Sequence, residues 1–304
     1  MKKILKKIYL LIPFKQYFFS FLKIFWTPPH RVYKHLHFTG VMKVKTTNDS
    51  FFRMYNYGYE IENDIFWCGL NNGWEKKSMK LWMRLCTDAN VIMDIGANTG
   101  IYALTAKTIN PAATVFAFEP LHRVFMKLQK NNDLNHYNIK CIEKALSEKE
   151  GKQVIYENNE PHVDAATLNQ YTAVTYGQGM LNKETIIKTT TIDKMIESEN
   201  LQRVDLLKID VETYEPQVME GFKKYLPAFK PSILIEVLTD EVGRRLHEVF
   251  GPLGYIYFNI DDNNDSIRMV EVLGKSDHFN CLICTIEIAS KLGLPLRPAK
   301  LSYA

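Results

Sequence analysis

No stretch of this 304-residue chain approaches the run of about 18 to 20 apolar residues that a membrane-spanning helix needs. The opening segment, MKKILKKIYLLIPFKQYFFSFLKIFW, is broken by Lys2, Lys3, Lys6, Lys7, Pro13, Lys15 and Lys23. No small-residue cleavage site follows before Pro28 and Pro29, so a secretory leader is not expected either. Acidic side chains are missing from the first 48 residues, which hold ten Lys and Arg. The remainder carries 28 basic against 34 acidic side chains, a net of −6 in a chain whose total is +4, so the basic character belongs to the N-terminus alone. No recognition fold follows it, and nucleic acid is not the expected partner. Cysteine is scarce: Cys68, Cys86, Cys141, Cys281 and Cys284 sit among apolar neighbours at irregular intervals. The pair Cys281 and Cys284 lies in a strand-like run without a second pair or a histidine partner, which argues for buried thiols in a reducing compartment rather than a zinc site or a disulfide framework. Repeats and low-complexity runs are absent, and 46% apolar with 24% charged residues is the composition of an ordinary folded domain.

What the N-terminus does contain is lysine interleaved with Ile8, Leu11, Ile12, Phe18, Phe21, Leu22, Phe25 and Trp26. Basic heads beside aromatic and aliphatic faces suit an interfacial helix on an anionic membrane, which would make residues 1–26 a peripheral contact of a cytoplasmic protein with the inner membrane face. The same apolar face suits docking on the protein's own core or on a second copy of the chain. Both readings stand, and the oligomeric state is not readable.

Residues 91–100 read Val-Ile-Met-Asp-Ile-Gly-Ala-Asn-Thr-Gly: a buried strand that stops near Asp94 and turns through Gly96 and Gly100 into a helix. A second strand, Phe116-Ala117-Phe118, ends on Glu119. A glycine turn followed by an acid at this spacing is the pattern of a βαβ unit that holds a nucleoside, with the carboxylate matched to two ribose hydroxyls. The glycines allow a tight turn and close approach to a ligand. Dinucleotide sites place a third glycine where a pyrophosphate meets the helix N-terminus; here Asn98 occupies the second position, no third glycine follows, and Asp94 would repel phosphate. A carboxylate suits the sulfonium and ammonium of S-adenosylmethionine, which leaves an NAD-type oxidoreductase as the alternative, with a catalytically silent nucleoside binder behind it.

The run DIGANTGIYAL at 94–104, FEP at 118–120, Asn131 with Asn132, and KIDVETYEPQVMEG at 208–221 resemble the FkbM family of S-adenosylmethionine-dependent methyltransferases over roughly residues 75–285. The resemblance implies an α/β, doubly wound Rossmann-like sheet of seven strands with the last antiparallel, the methyl donor as cofactor, and a hydroxyl of a sugar in a surface glycan or natural product as acceptor. One departure is Thr213, where the family carries glycine. A β-branched residue takes a positive φ only with strain, so the loop either runs differently or does not need that conformation.

The expected organisation is a basic amphipathic segment at 1–29, a small β-rich lead-in at 30–74, the methyltransferase domain at 75–290 and a tail at 291–304. Strands are expected near 90–95, 114–118, 139–143, 203–209, 231–237, 254–259 and 279–287, with helices near 99–109, 121–134, 215–225 and 240–249. The polar stretch from Glu150 to Thr191 is too long for a plain connection and is expected to wall the substrate. Candidate cofactor residues are Asp94, Gly96, Asn98, Gly100, Glu119 and, at the adenine edge, Ser147. Asp210, at the end of the fourth long strand, is the first candidate for the proton acceptor, with Glu236 and His162 in reserve. Asp210, Glu212 and Glu236 offer oxygens that suit Mg²⁺, but nothing in the spacing fixes a geometry, so no metal is assigned.

Overall fold

The computed structural model describes residues 14–47, 49–157, 166–169, 183–276 and 278–297. The lead-in comprises α1 (Lys15–Phe25), α2 (His30–Tyr33), β1 (Gly40–Lys45), β2 (Phe51–Asn56), α3 (Glu60–Cys68) and α4 (Lys76–Cys86). Only β1 and β2 pair, antiparallel, as a separate ribbon. The lead-in, expected to be β-rich, thus also holds helices, and the apolar run Ile65–Cys68 lies in α3. The Glu62 carboxylate accepts the backbone N–H groups of Tyr57 at 2.7 Å and Tyr59 at 3.4 Å, satisfying donors just ahead of the first turn.

The alternation that follows runs β3 (Val91–Ile95), α5 (Ile101–Ile109), β4 (Thr114–Phe118), α6 (His122–Asp133) and β5 (Lys140–Ile142). After a small sheet made of β6 (Ala145–Leu146), β7 (Gly151–Glu157), β8 (Ala166–Thr167) and β9 (Lys183–Thr190), the chain returns through α7 (Ile192–Ser198) to β10 (Leu206–Ile209). It continues through α8 (Glu215–Glu220), α9 (Leu226–Phe229), β11 (Ser232–Glu236), α10 (Asp240–Phe250), β12 (Ile256–Asp261), β13 (Ser266–Val270), β14 (Asn280–Cys284) and α11 (Ile286–Lys291).

The main sheet has eight strands in the order β13-β12-β14-β11-β10-β3-β4-β5. Five are parallel, from β11 to β5, and β14 is antiparallel to both β11 and β12. β12 therefore runs in the direction of the parallel five and β14 is the expected antiparallel strand, while an eighth strand, β13, folds back on β12 as a hairpin and adds a second antiparallel one at the edge. Its sequence, SIRMV, sits at the sheet edge with both faces partly open, which removes the unbroken apolar run that marks a central strand. The segment expected as strand to residue 287 turns at Thr285 into α11.

Successive strand residues feed opposite faces. Ile92, Val115, Leu206, Leu234 and Leu282 join one core with Phe19, Phe52, Trp67 and Trp82 of the lead-in. Met93, Phe116, Leu207, Ile233 and Ile283 join the other with residues of α7, α8 and α10. The lead-in is therefore one covering layer of the sheet. Because β3 to β5 step outward one way and β10 returns on the other side of β3, the sheet has its switch point between β3 and β10, where open α/β sheets leave a crevice at the strand ends.

Candidate active site

Backbone hydrogen bonds beyond the strands knit this crevice. Gly96 and Ala97 donate to the Phe118 carbonyl at 3.1 and 2.9 Å, Glu119 N–H to Ile142 at 3.1 Å, and Asp210 N–H to Ile95 at 3.0 Å. Above them opens a cavity of about 360 Å³, within the usual size of small-molecule sites. Asp94, Gly96, Asn98, Glu119, Lys208, Asp210 and Glu212 contribute to its wall, as do Ala145, Leu146, Ile155, Ala166 and Leu168 on one side and Tyr59 to Glu62 with Trp74 on the other.

Glu119 is held from two directions. Its Oε2 accepts the Asn98 N–H at 3.2 Å and its Oε1 the Leu121 N–H at 3.0 Å, so it ties the glycine turn to the start of α6 while its carboxylate lines the cavity. A carboxylate oxygen has two lone pairs, which leaves acceptor capacity for ribose hydroxyls. Asn98 takes the left-handed conformation, φ 49°, that orients its N–H this way. Asp94 is buried, and its Oδ2 accepts the Ala103 N–H in the first turn of α5 at 2.9 Å. Burial pushes its pKa up to about 7, against the pull of that N–H and of Lys208.

Both glycines are required by the chain itself. At Gly96, φ 80°, a Cβ would stand 1.9 Å from the carbonyl oxygen of Asp210; at Gly100, φ 94°, it would stand 2.6 Å from the Leu128 side chain. Gly96 lines the cavity and Gly100 does not. Ser147 also lies away from the wall. It is fully buried, donates to Glu148 at 2.7 Å and accepts from Gln153 at 3.1 Å, and its neighbours Ala145 and Leu146 line the cavity in its place.

On the neighbouring strand, β10, the wall is built around Lys208, the register partner of Asp94, whose side chain is 2% exposed. Its Nζ lies 3.3 Å from Asp210 Oδ2, 3.5 Å from Asn280 Oδ1 and 5.1 Å from the centre of the Tyr102 ring. Burial alone would lower its pKa, but the charges of Asp210, Glu75 and Glu236 outweigh that and hold it above the usual lysine range. Glu75, in a left-handed conformation at φ 47°, accepts the Tyr102 hydroxyl proton, and burial pushes its pKa up. Trp74 packs edge-on against Tyr102, ring centres 6.0 Å apart. Glu236 is not among the residues lining the cavity; burial and then the charge of Asp210 push it up to about 10. Glu215 folds back on the loop before α8, accepting from Val211 at 3.2 Å and Thr213 at 3.3 Å. Burial pushes it up to about 8.

Thr213 does take the positive φ, 75°, that glycine would take at this position. It is buried, and its hydroxyl accepts from Asn169 Nδ2 at 3.0 Å, while Thr167 donates to the Glu212 carbonyl at 2.6 Å. The loop after β8 thus clamps the 212–213 turn, which lets a β-branched residue hold a conformation it disfavours. His162 and most of the expected wall between β7 and β9 lie outside the described residues; among the described ones, Ile155, Ala166 and Leu168 line the cavity. Lys208, Glu75, Trp74 and Tyr102 were missed by sequence reasoning. Lys208 alone carried a signal, a lysine inside the apolar strand LLKI.

The family model for the methyltransferase FkbM domain matches residues 94–257, just over half of the chain. The chain belongs to the FkbM methyltransferase family. The hexuronic acid methyltransferase AglP of Haloferax volcanii is 27% identical over 163 residues, covering 54% of this chain and 62% of that protein. The 31-O-demethyl-FK506 methyltransferase FkbM of Streptomyces tacrolimicus is 27% identical over 188 residues, 55% of this chain and 69% of that one. The chain spans about 60% of the length of the first of these curated relatives. Among solved structures, the methyltransferase FkbM from Methylobacillus flagellatus aligns over 65% of this chain and 44% of its own, with 14% identity and a TM-score of 0.41.

The cofactor of FkbM-type methyltransferases is S-adenosylmethionine, and the cavity suits it. Among the described residues, Glu60, Glu62, Asp94, Glu119, Asp210 and Glu212 set six acidic side chains in the wall against the ammonium of Lys208, a balance that favours a sulfonium and an ammonium and disfavours a pyrophosphate. Glu119 would hold the ribose, with the Asp94 end of β3 beside the charged part of the donor. Among the described residues no group of three or more His, Cys, Asp and Glu side chains is arranged to hold a metal ion. None of the described helices is long and apolar enough to cross a membrane.

Proposed function

We propose that the chain methylates a hydroxyl oxygen of a sugar, in a surface glycan or a related natural product, at the Asp210 end of the cavity. When bound, S-adenosylmethionine supplies a methyl carbon activated by its positive sulfur. The residues of this chain do the rest. Glu119 and the turn at Asn98 orient the nucleoside, the apolar side chains of β6 to β8 exclude water, and Asp210 meets the incoming hydroxyl. The Asp210 carboxylate would take up the proton of that hydroxyl as its oxygen is methylated. The observation that carries this reading is the position of Asp210: in the cavity wall, with Lys208 Nζ 3.3 Å from one oxygen.

Glu236 is the weaker candidate, because a carboxyl pushed up to about 10 holds its own proton at neutral pH. His162 stays in reserve. A sugar acceptor is supported by AglP, whose name specifies a hexuronic acid, and oxygen as the methylated atom by the 31-O-demethyl-FK506 enzyme. The proposal includes a cytoplasmic setting, with the basic N-terminal segment in peripheral contact with the inner membrane face. Calorimetry with S-adenosylmethionine followed by labelled-methyl transfer to glycan acceptors tests the catalytic part. Asp210→Asn should keep donor affinity within about threefold and lower transfer by about 10²- to 10⁴-fold. Transfer at the wild-type rate by that variant would remove Asp210 from the mechanism.

A further inference from the structure

Six aromatic side chains near the start of the described chain, Phe14, Tyr17, Phe18, Phe21, Phe25 and Trp26, are each more than half exposed. They lie on and beside α1, and Ile24 between them is 74% exposed. So dense a set is unusual for a folded surface and marks a contact site. The helix is nevertheless anchored from its other side. Phe19 is buried, with its ring 5.6 Å from Trp67 and 6.4 Å from Phe38. Lys23 donates to the Phe66 carbonyl and sits 5.2 Å from the centre of the Phe66 ring. Docking on the protein's own core therefore uses Phe19, and the aromatic face remains uncovered among the described residues.

Charge selects what covers it. The first 48 residues hold ten basic side chains and no acidic one. A second copy docking through the same segment would bring like charges together, whereas an anionic bilayer complements them, at about 1 kcal/mol for each basic residue close to the surface. Aromatic rings are the side chains that settle at the headgroup boundary. We infer that α1 lies in the plane of an anionic membrane, with Phe18, Phe21 and Phe25 inserted and Phe19 holding the domain to it.

The same helix pair reaches the cavity. Phe66 and Trp67, which receive α1, stand at one end of α3, while Glu60, Ile61 and Glu62 at its other end line the cavity wall, about 9 Å along the helix axis. Membrane contact thus brings one rim of the cavity close to the lipid surface, which suits an acceptor sugar carried on a membrane-bound precursor. The lipid contact stands independently of the proposed activity, whereas the membrane-bound acceptor rests on it.

The test uses the full chain in co-sedimentation with vesicles of phosphatidylcholine, alone or with added phosphatidylglycerol, and calorimetry with S-adenosylmethionine in parallel. The wild type should sediment with the anionic vesicles and not with the neutral ones, and release as salt is raised. The variant Phe18→Ser/Phe21→Ser/Phe25→Ser should lose at least about tenfold in partitioning with unchanged affinity for S-adenosylmethionine. A wild-type chain that stays in the supernatant overturns the inference. So does a concentration-dependent dimer that the triple variant abolishes, without vesicle binding, because the occupant would then be a second copy. Vesicle binding without any capture of S-adenosylmethionine would leave the lipid contact standing and remove the membrane-bound acceptor.

Discussion

At the β3–β4 end of the cavity Asp94, Gly96, Asn98 and Glu119 come from a single βαβ unit and are held by hydrogen bonds that backbone N–H groups donate to a strand-end carbonyl and to the Asp94 and Glu119 carboxyl groups. At the β10 end, Trp74, Glu75, Tyr102, Lys208, Asp210 and Asn280 are gathered from four separate segments and joined through side chains around one buried ammonium. The first end is specified by local chain geometry and tolerates little change in backbone. The second is specified by charge balance and depends on layers that meet only in the folded molecule. Residues 74, 75 and 280 lie outside the family-matched region, whereas Tyr102, Lys208 and Asp210 lie within it. A carbon added at a backbone contact should damage the first end most, and an uncompensated charge the second.

The largest effect is expected at Gly96. In Gly96→Ala the new Cβ meets the Asp210 carbonyl oxygen at 1.9 Å, in a conformation, φ 80°, that alanine disfavours. Overpacking and backbone strain together should cost about 4 kcal/mol in denaturant unfolding, with loss of donor binding. A variant of wild-type stability would mean that the strand tips are not held by that contact. Lys208→Met comes next, at about 3 kcal/mol, because it leaves the carboxylates of Asp210 and Glu75 without their buried partner. Lys208→Arg should recover part of it, and a methionine variant as stable as wild type would break the charge-balance account.

Asp94 links the two ends through pH. Its carboxyl is pushed up from 3.8 to about 7, so the folded state holds the proton more tightly than the unfolded chain. This group therefore lowers stability progressively as pH rises from about 4 to 7, with no further change above. Donor affinity should move the other way, rising by up to about tenfold between pH 6 and 8 as a carboxylate forms beside a cationic ligand. Asp94→Asn keeps an acceptor for the Ala103 N–H and should flatten both profiles. Calorimetry that finds the same pH dependence in that variant assigns the titration elsewhere. The smallest effect is expected for Thr213→Gly. Relief of about 1 to 2 kcal/mol of left-handed strain is offset by the lost Asn169 hydrogen bond and the added freedom of glycine, leaving thermal stability within about 1 kcal/mol of wild type.

The local periodicities of the chain were enough for its α/β alternation and for the strand ends at Asp94 and Glu119, because each depends on residues close in sequence whose backbone hydrogen bonds and alternating burial follow from their own order; the family was legible only through the resemblance of the motifs at 94–104, 118–120 and 208–221. The helix at Glu60–Cys68 and the edge strand at Ser266–Val270 were hidden, since a cap built on one glutamate and an edge position with half-open faces leave little periodic trace. Lys208 with Glu75, the burial of Ser147 away from the cavity and the turn clamped around Thr213 were decided only when the layers packed. A buried charge is held by partners from distant segments, and no spacing along the chain records which of them will meet.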